Sequence, residues 1–242
     1  MSTPAAVWLG CAGWSLPRAQ WPAFAETGTH LERYASRFNA VEINSSFYRP
    51  HQPKTYARWA SSVPPGFRFA VKMPQQITHV QRLVGCEPLL EAFFGQCTAL
   101  GPALGCVLVQ LPPSLRFEPR VATAFFDALR QRFEGTVVIE PRHESWALAQ
   151  PLLVDMRIAQ VAADPPRFGN DSVPAGWPGV CYWRLHGAPR IYYSAYSPAQ
   201  LKAWAQALRA ALHAGVPVWC IFDNTAAGAA VADALYLQAL LA

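Results

Sequence analysis

Several features that would settle the class of this protein at a glance are missing from its sequence. No Gly/Ser linker, charge block or low-complexity tract divides the 242 residues, and no repeat relates the two halves, which excludes repeat arrays and long disordered tails. No apolar stretch reaches the ~20 residues that a bilayer-spanning helix needs. No basic segment followed by an apolar signal core opens the chain. A cytoplasmic protein without a membrane partner is therefore expected. The 6 cysteines include no CxxC pair and no Cys/His spacing of the zinc type. Cys11, Cys106, Cys181 and Cys220 sit in or beside apolar runs, while Cys86 and Cys97 share one helical segment. Packed, reduced thiols and no disulfide-linked partner are expected. Cys11 alone falls near the end of an apolar run where chemistry would gather, and no neighbour in sequence supplies it with a base.

What is present is a series of short apolar runs that each stop at a turn, most on a polar or charged residue. In order they are Val7–Leu9 into Gly10, Ala40–Val41 into Glu42, Phe69–Val71 into Lys72, and Val107–Val109 into Gln110. The series continues with Val137–Ile139 into Glu140, Val161–Ala163 into Asp164, Cys181–Trp183 into Arg184 and His186, and Cys220–Phe222 into Asp223. Strands of a parallel sheet covered on both faces read as continuous apolar sequence. Between the runs, apolar residues recur at three and four: Leu89, Leu90, Phe93, Phe94, Cys97 and Leu100, then Leu201, Trp204, Leu208 and Leu212. A further helix is predicted to open at Pro119, and an Ala-rich one to span 226–241. Pro165, Pro166, Gly169, Pro174, Gly176 and Pro178 leave room only for a short or missing helix after the sixth run. The length is close to the ~250 residues of a closed eight-stranded parallel barrel. The fold expected is α/β, a single-domain TIM-type (β/α)8 barrel over residues 1–242.

Such barrels keep their chemistry at the carboxyl ends of the strands. Side chains alternate across a strand, so Glu42 shares a face with Asn44, and Arg184 shares one with His186. If His186 faces the barrel axis, Arg184 lies one layer deeper and needs a carboxylate, for which Glu140 or Asp164 is the natural partner. Glu42, Glu140, Asp164 and Asp223 balance Arg49, Lys72, Arg142 and Arg184 around the expected mouth. That balance favours an ion-paired network over a metal held by Glu140, Asp164, His186 and Asp223, because hard-metal sites carry surplus negative charge. No metal and no cofactor are expected. A glycosidase would use two carboxylates and the platforms Trp14, Phe47, Tyr48, Trp146, Tyr192, Tyr193 and Tyr196. The fourth run, however, ends in Gln110, which cannot donate a catalytic proton.

The net charge of +5 and pI near 9.0, carried almost wholly by arginine, favour anionic partners. The loops after the last two runs, 185–190 with Gly187 and Arg190 and 223–228 with Asn224 and Thr225, lie where barrels bind phosphate. Asn224 and Thr225 equally suit plain helix capping. Thr78-His79 can bring an imidazole over the mouth, and His143 is a general acid/base candidate by residue type. A non-enzymatic nucleic-acid binder is the competing class, with Trp14, Phe47, Tyr48 or Trp146 stacking on bases.

Leu9-Gly10-Cys11-Ala12-Gly13-Trp14-Ser15, the segment Phe38–Tyr48 and Phe67-Arg68-Phe69-Ala70-Val71-Lys72 resemble the YecE-like family, domain of unknown function 72. The resemblance continues through Ile77-Thr78-His79, Gln110-Leu111-Pro112-Pro113, Glu140-Pro141-Arg142-His143, Tyr182–Gly187 and Phe222-Asp223-Asn224-Thr225. It implies a TIM-type barrel and no particular reaction, substrate or cofactor. The functional expectation is a small anionic, phosphate-bearing ligand, phosphodiesters and nucleic acid included, with hydrolytic chemistry. Lys72, Arg142 and Arg184 would stabilise the anion and Glu140 or Asp164 would act as general base. His186 and His143 would transfer protons, with Glu42, Asn44, Arg49, Gln110, Gly187, Asp223 and Asn224 around the ligand.

Overall fold

In the computed structural model, which describes residues 6–169 and 171–242, the apolar runs lie on strands of one sheet, the sixth of them from Ala162 onward. The strands are β1 (Val7–Ala12), β2 (Ala40–Ile43), β3 (Arg68–Lys72), β4 (Leu104–Gln110), β5 (Val137–Glu140), β6 (Ile158–Gln160), β7 (Ala162–Asp164), β8 (Ala175–Gly176), β9 (Cys181–Leu185) and β10 (Val218–Phe222). β1 pairs in parallel with both β2 and β10, and the parallel ladder continues from β2 through β5 to β6 on one side and from β10 to β9 and β7 on the other. β6 and β7 are two halves of one sixth strand, interrupted at Val161, whose N–H still donates to Ile139 O at 2.8 Å. The first half pairs with β5 and the second with β9, so the ring closes through this strand. The mixed α/β, TIM-like architecture follows.

The helices are α1 (His30–Ala35), α2 (Ser45–Tyr48), α3 (Pro53–Ser61), α4 (Glu87–Cys97), α5 (Pro119–Arg130), α6 (Gln150–Asp155), α7 (Pro198–His213) and α8 (Ala229–Leu241). α5 opens at Pro119 and α7 at Pro198, where the missing N–H costs nothing. Ser197 and Gln200 add a reciprocal cap to α7. The helical pattern over 89–100 outlasts α4, because Gly101 at φ 54 and Pro102 tighten the next six residues into a 3-10 turn. α8 begins at Ala229 and not at 226, since Gly228 adopts φ 79. No helix lies between β7 and β9 among the described residues. Instead the turn-rich stretch adds β8, antiparallel to β6.

Strand alternation sorts the core into two layers. Ala12, Ala40, Ala70, Cys106, Leu108, Val138, Ala159, Val161, Tyr182, Trp219 and Ile221 pack together in the lumen. Their neighbours Cys11, Val41, Val71, Val107, Val137, Ile139, Ala162, Trp183, Cys220 and Phe222 pack outward with the helices. Small residues on β1, β2, β3 and β6 leave space for Tyr182 stacked on Trp219, at 5.8 Å between ring centroids, and for the long Arg184 side chain above them. No helix of the described residues is long and apolar enough to cross a membrane.

Candidate functional site

The same alternation carries eight polar side chains into the top of the lumen. Counting in twos from Ala40 reaches Glu42 and Asn44, from Ala70 reaches Lys72, from Leu108 reaches Gln110, and from Val138 reaches Glu140. From Tyr182 it reaches Arg184 and His186, and from Ile221 it reaches Asp223. Arg184 and His186 are fully buried, as are Glu42 and Glu140. Arg184 donates through Nε and Nη2 to the two oxygens of Glu42 (2.9 and 2.6 Å), and through Nη1 to Glu140 Oε2 at 2.7 Å. Its Nη2 also lies 3.1 Å from Asp223 Oδ2. Tyr182 donates its hydroxyl to Glu42 Oε2 at 2.9 Å from below. A planar fork of donors suits this arrangement in a way that an ammonium would not.

His186 sits between two carboxylates, with Nε2 2.9 Å from Glu140 Oε1 and Nδ1 3.0 Å from Asp223 Oδ2. Neither carboxylate can donate, so both ring nitrogens must carry protons, and the residue is an imidazolium. Burial opposes that charge, but Glu140 and the bonds to Asp223 and Glu140 override it and raise the pKa. Burial likewise works against ionised Glu140, yet Arg184, Arg142 and His186 hold its carboxyl well below the usual range. Asp223 is desolvated too, and Arg184, His186 and Lys72 bring it down to about 2. Arg142 donates from Nη2 to Glu140 Oε1 at 2.9 Å and from Nη1 to Tyr192 Oη at 3.3 Å, while its buried Nε has no partner. Asn44 donates to Asp223 Oδ1 at 3.3 Å and leaves its own buried Oδ1 unpartnered.

Lys72 is the exception among these cations. It is 8 % exposed, and no carboxylate lies within ion-pair distance of it among the described residues. Its Nζ rests 4.3 Å from the centroid of the Phe47 ring, a cation–π contact worth ~0.5–2 kcal/mol. Phe47 is held there because Ser46 Oγ bonds both Ile43 O and Lys72 O, at 2.8 and 2.6 Å, which clips α2 onto β3. Burial lowers the Lys72 pKa, Arg184 repels its charge, and the more distant Glu42, Asp223 and Glu140 only partly offset them, leaving it at about 8.

Other expected site residues stand apart from this cluster. Asp164 is not a partner of Arg184: with Ala159 and Val161 facing the lumen, position 164 falls on the opposite face, where Tyr196 donates to its Oδ2 at 2.7 Å. Arg49 is exposed. Gly187, at φ 86, is approached by the protein's own loop and not left open: a Cβ there would lie 2.5 Å from Ser194 O. Asn224 neither caps α8 nor faces the mouth, because it donates to Ser194 O and Asp233 Oδ2 at 2.9 and 2.7 Å, and Gly228 occupies the cap position. His143 caps the turn Glu144–Ala149, its Nδ1 accepting from Ser145 N at 3.1 Å. Arg190 lies over Tyr193 at 3.8 Å. Cys11 is a packed thiol, pushed up to about 12 chiefly by burial.

Of the expected platforms, Trp146 is buried and bonded to Leu115 O, Tyr196 is internal, and Trp14 packs edge-on against Trp59. Tyr192 faces His186 edge-on at 5.6 Å. Tyr48 is 73 % exposed. Two participants had no clear signal in the sequence. Tyr182 reads as part of an apolar run, although its parity with Arg184 places it in the lumen. Asp171 lies in the turn-rich segment, fully buried with Oδ1 unpartnered, its pKa raised by burial to about 6, and within electrostatic reach of Glu140, Arg142 and His186.

Fold and site together define a parallel α/β barrel whose carboxyl-end mouth is closed by a buried ionic cluster with one uncommitted lysine. The chain belongs to the family described as protein of unknown function DUF72, whose model matches residues 8–242. It is 34% identical over 140 residues to the UPF0759 protein YecE of Escherichia coli K12, a match covering 57% of this chain and 48% of that one, so it spans about half of that relative's length. It is 23% identical to the UPF0759 protein YunF of Bacillus subtilis over 97% of this chain and 94% of the relative. DUF72 family structures from Enterococcus faecalis and Thermotoga maritima superpose with TM-scores of 0.80 and 0.77, at 22% and 24% identity. Each superposition covers 98% of this chain, and 98% and 99% of those structures respectively. They share the fold.

Proposed function

We propose that this protein binds a small anionic, phosphate-bearing ligand at the carboxyl-end mouth of its barrel. The observation that carries the reading is Lys72: Arg142, Arg184 and His186 each hold a carboxylate, and Lys72 holds none among the described residues. A desolvated ammonium with no counter-ion is costly unless something supplies one. The unfilled Nε of Arg142 adds a second donor, and both Lys72 and Arg142 lie close enough to His79 to lower its pKa, after the effect of burial.

Glu140 does not serve as the general base in this reading, because three cations saturate it and hold its proton affinity far below neutrality. Asp164 cannot replace it from the outer face. The test is a thermal-shift titration with inorganic phosphate at pH 7. Wild type and Lys54→Met are expected to gain stability as phosphate rises, and Lys72→Met to gain none. Equal shifts in all three proteins, or no shift in wild type, would remove the proposal.

A further inference from the structure

The kind of cation at position 72 carries information beyond its charge. Of the chain's 20 basic residues only Lys54, Lys72 and Lys202 are lysine, and Lys54 and Lys202 are exposed. Where the mouth needs a permanent cation it uses Arg142 and Arg184. The position without a carboxylate is occupied by the one cationic side chain that can give up its proton and become a nucleophile. Its surroundings favour that form. Lys72 pairs with Leu108 across β3 and β4, its tip lies on Phe47, and Arg184 repels the ammonium while no carboxylate lies within ion-pair distance among the described residues.

We infer that Lys72 is an amine nucleophile that condenses with the carbonyl carbon of a phosphate-bearing aldehyde or ketone to form an imine. This rests on the anion-binding reading above and names the substrate class. The neutral amine attacks the carbonyl carbon, the C=O electron pair moves to oxygen, and a proton passes from the nitrogen to that oxygen to give the carbinolamine. Loss of water from the carbinolamine then leaves a C=N bond to Nζ. Protonated by solvent to the iminium, the imine draws electrons from the adjacent carbon, so cleavage of a C–H or C–C bond there is the class of reaction that such a site supports. In this proposal Arg142, whose buried Nε has no partner, holds the phosphate while Lys72 engages the carbonyl.

The experiment uses glycolaldehyde phosphate as probe and sodium cyanoborohydride, which reduces an imine to a stable secondary amine, followed by peptide mapping. The expected result is a reduced adduct on Lys72 formed well ahead of any on Lys54 or Lys202, with a rate that rises through an apparent pKa near 8 and falls tenfold or more when inorganic phosphate is present. Lys72→Arg is expected to lose the adduct and keep phosphate stabilisation. Phosphate stabilisation without preferential Lys72 labelling would overturn the imine and leave the anion site standing. Preferential labelling that phosphate does not slow would keep the nucleophile and overturn the anion site.

Discussion

Replacing Arg184 by methionine isolates the interaction on which the mouth is built. The side chain is fully buried and reaches three carboxylates, at 2.6 and 2.9 Å to Glu42, 2.7 Å to Glu140 and 3.1 Å to Asp223. Methionine fills much of the same volume, so packing changes little and the loss is mainly electrostatic. Glu140 and Asp223 keep His186, and Glu140 keeps Arg142, but Glu42 is left with Tyr182 alone. Stranding one member of a buried pair costs about 3–5 kcal/mol, a large part of the ~5–15 kcal/mol that holds a domain together. At this chain length each kcal/mol moves the melting temperature by ~2–4 °C, so a fall of about 6–20 °C is expected.

The assay is urea unfolding followed by far-UV circular dichroism at pH 7, with Arg184→Met compared against Arg184→Met/Glu42→Leu. Removing the stranded charge as well is expected to recover part of the loss, because an uncompensated carboxylate costs more than an apolar replacement. A cost below about 1 kcal/mol, or a double variant weaker than the single one, would show that the cluster does not depend on Arg184 as argued.

Two further predictions test the electrostatics and the geometry. Glu140 and Asp223 have folded pKa values below their unfolded ones, so their stabilisation is present above the unfolded value of ~4 and is lost as pH falls through the folded values, which for Asp223 is about 2. His186 is raised instead, so its contribution is full below 6.5 and disappears as pH rises through its folded pKa. Stability against pH should show both limbs, with nitrogen NMR finding both His186 ring nitrogens protonated at pH 6.5; a neutral tautomer there would contradict the two-carboxylate geometry. Asp164→Asn retains an acceptor for Tyr196 and should cost under ~1.5 kcal/mol while leaving phosphate stabilisation intact. Loss of phosphate binding in that variant would place Asp164 back in the site.

Most of the site was legible because a barrel converts position along a strand into position around a ring. Eight runs, seven of them with polar ends, were enough to anticipate that Glu42, Lys72, Gln110, Glu140, Arg184 and Asp223 converge, since each lies an even number of steps from a lumen residue of its own strand. Asp164 was misplaced although the same rule applied to it. The sixth run, Val161–Ala163, gives no sign of which face is which, because alanine and valine suit the lumen and the outer layer equally well. Only the break at Val161, with Ala162 packed outward, reveals the parity. Gly187 and Asn224 were misjudged for a different reason. Loop residues are assigned by partners that lie far away in sequence, here Ser194 and Asp233, and no local pattern reports those contacts. Asp171 was hidden in a stretch that reads as turns alone. Pairing is the level at which sequence says least: charges of both signs around the mouth announce a network, but which cation remains without a partner depends on side-chain reach. Arginine's fork spans Glu42, Glu140 and Asp223 from one strand, and that reach leaves Lys72, on β3 beside the strand of Glu42 and four strands from β9, with an aromatic ring in place of a counter-ion.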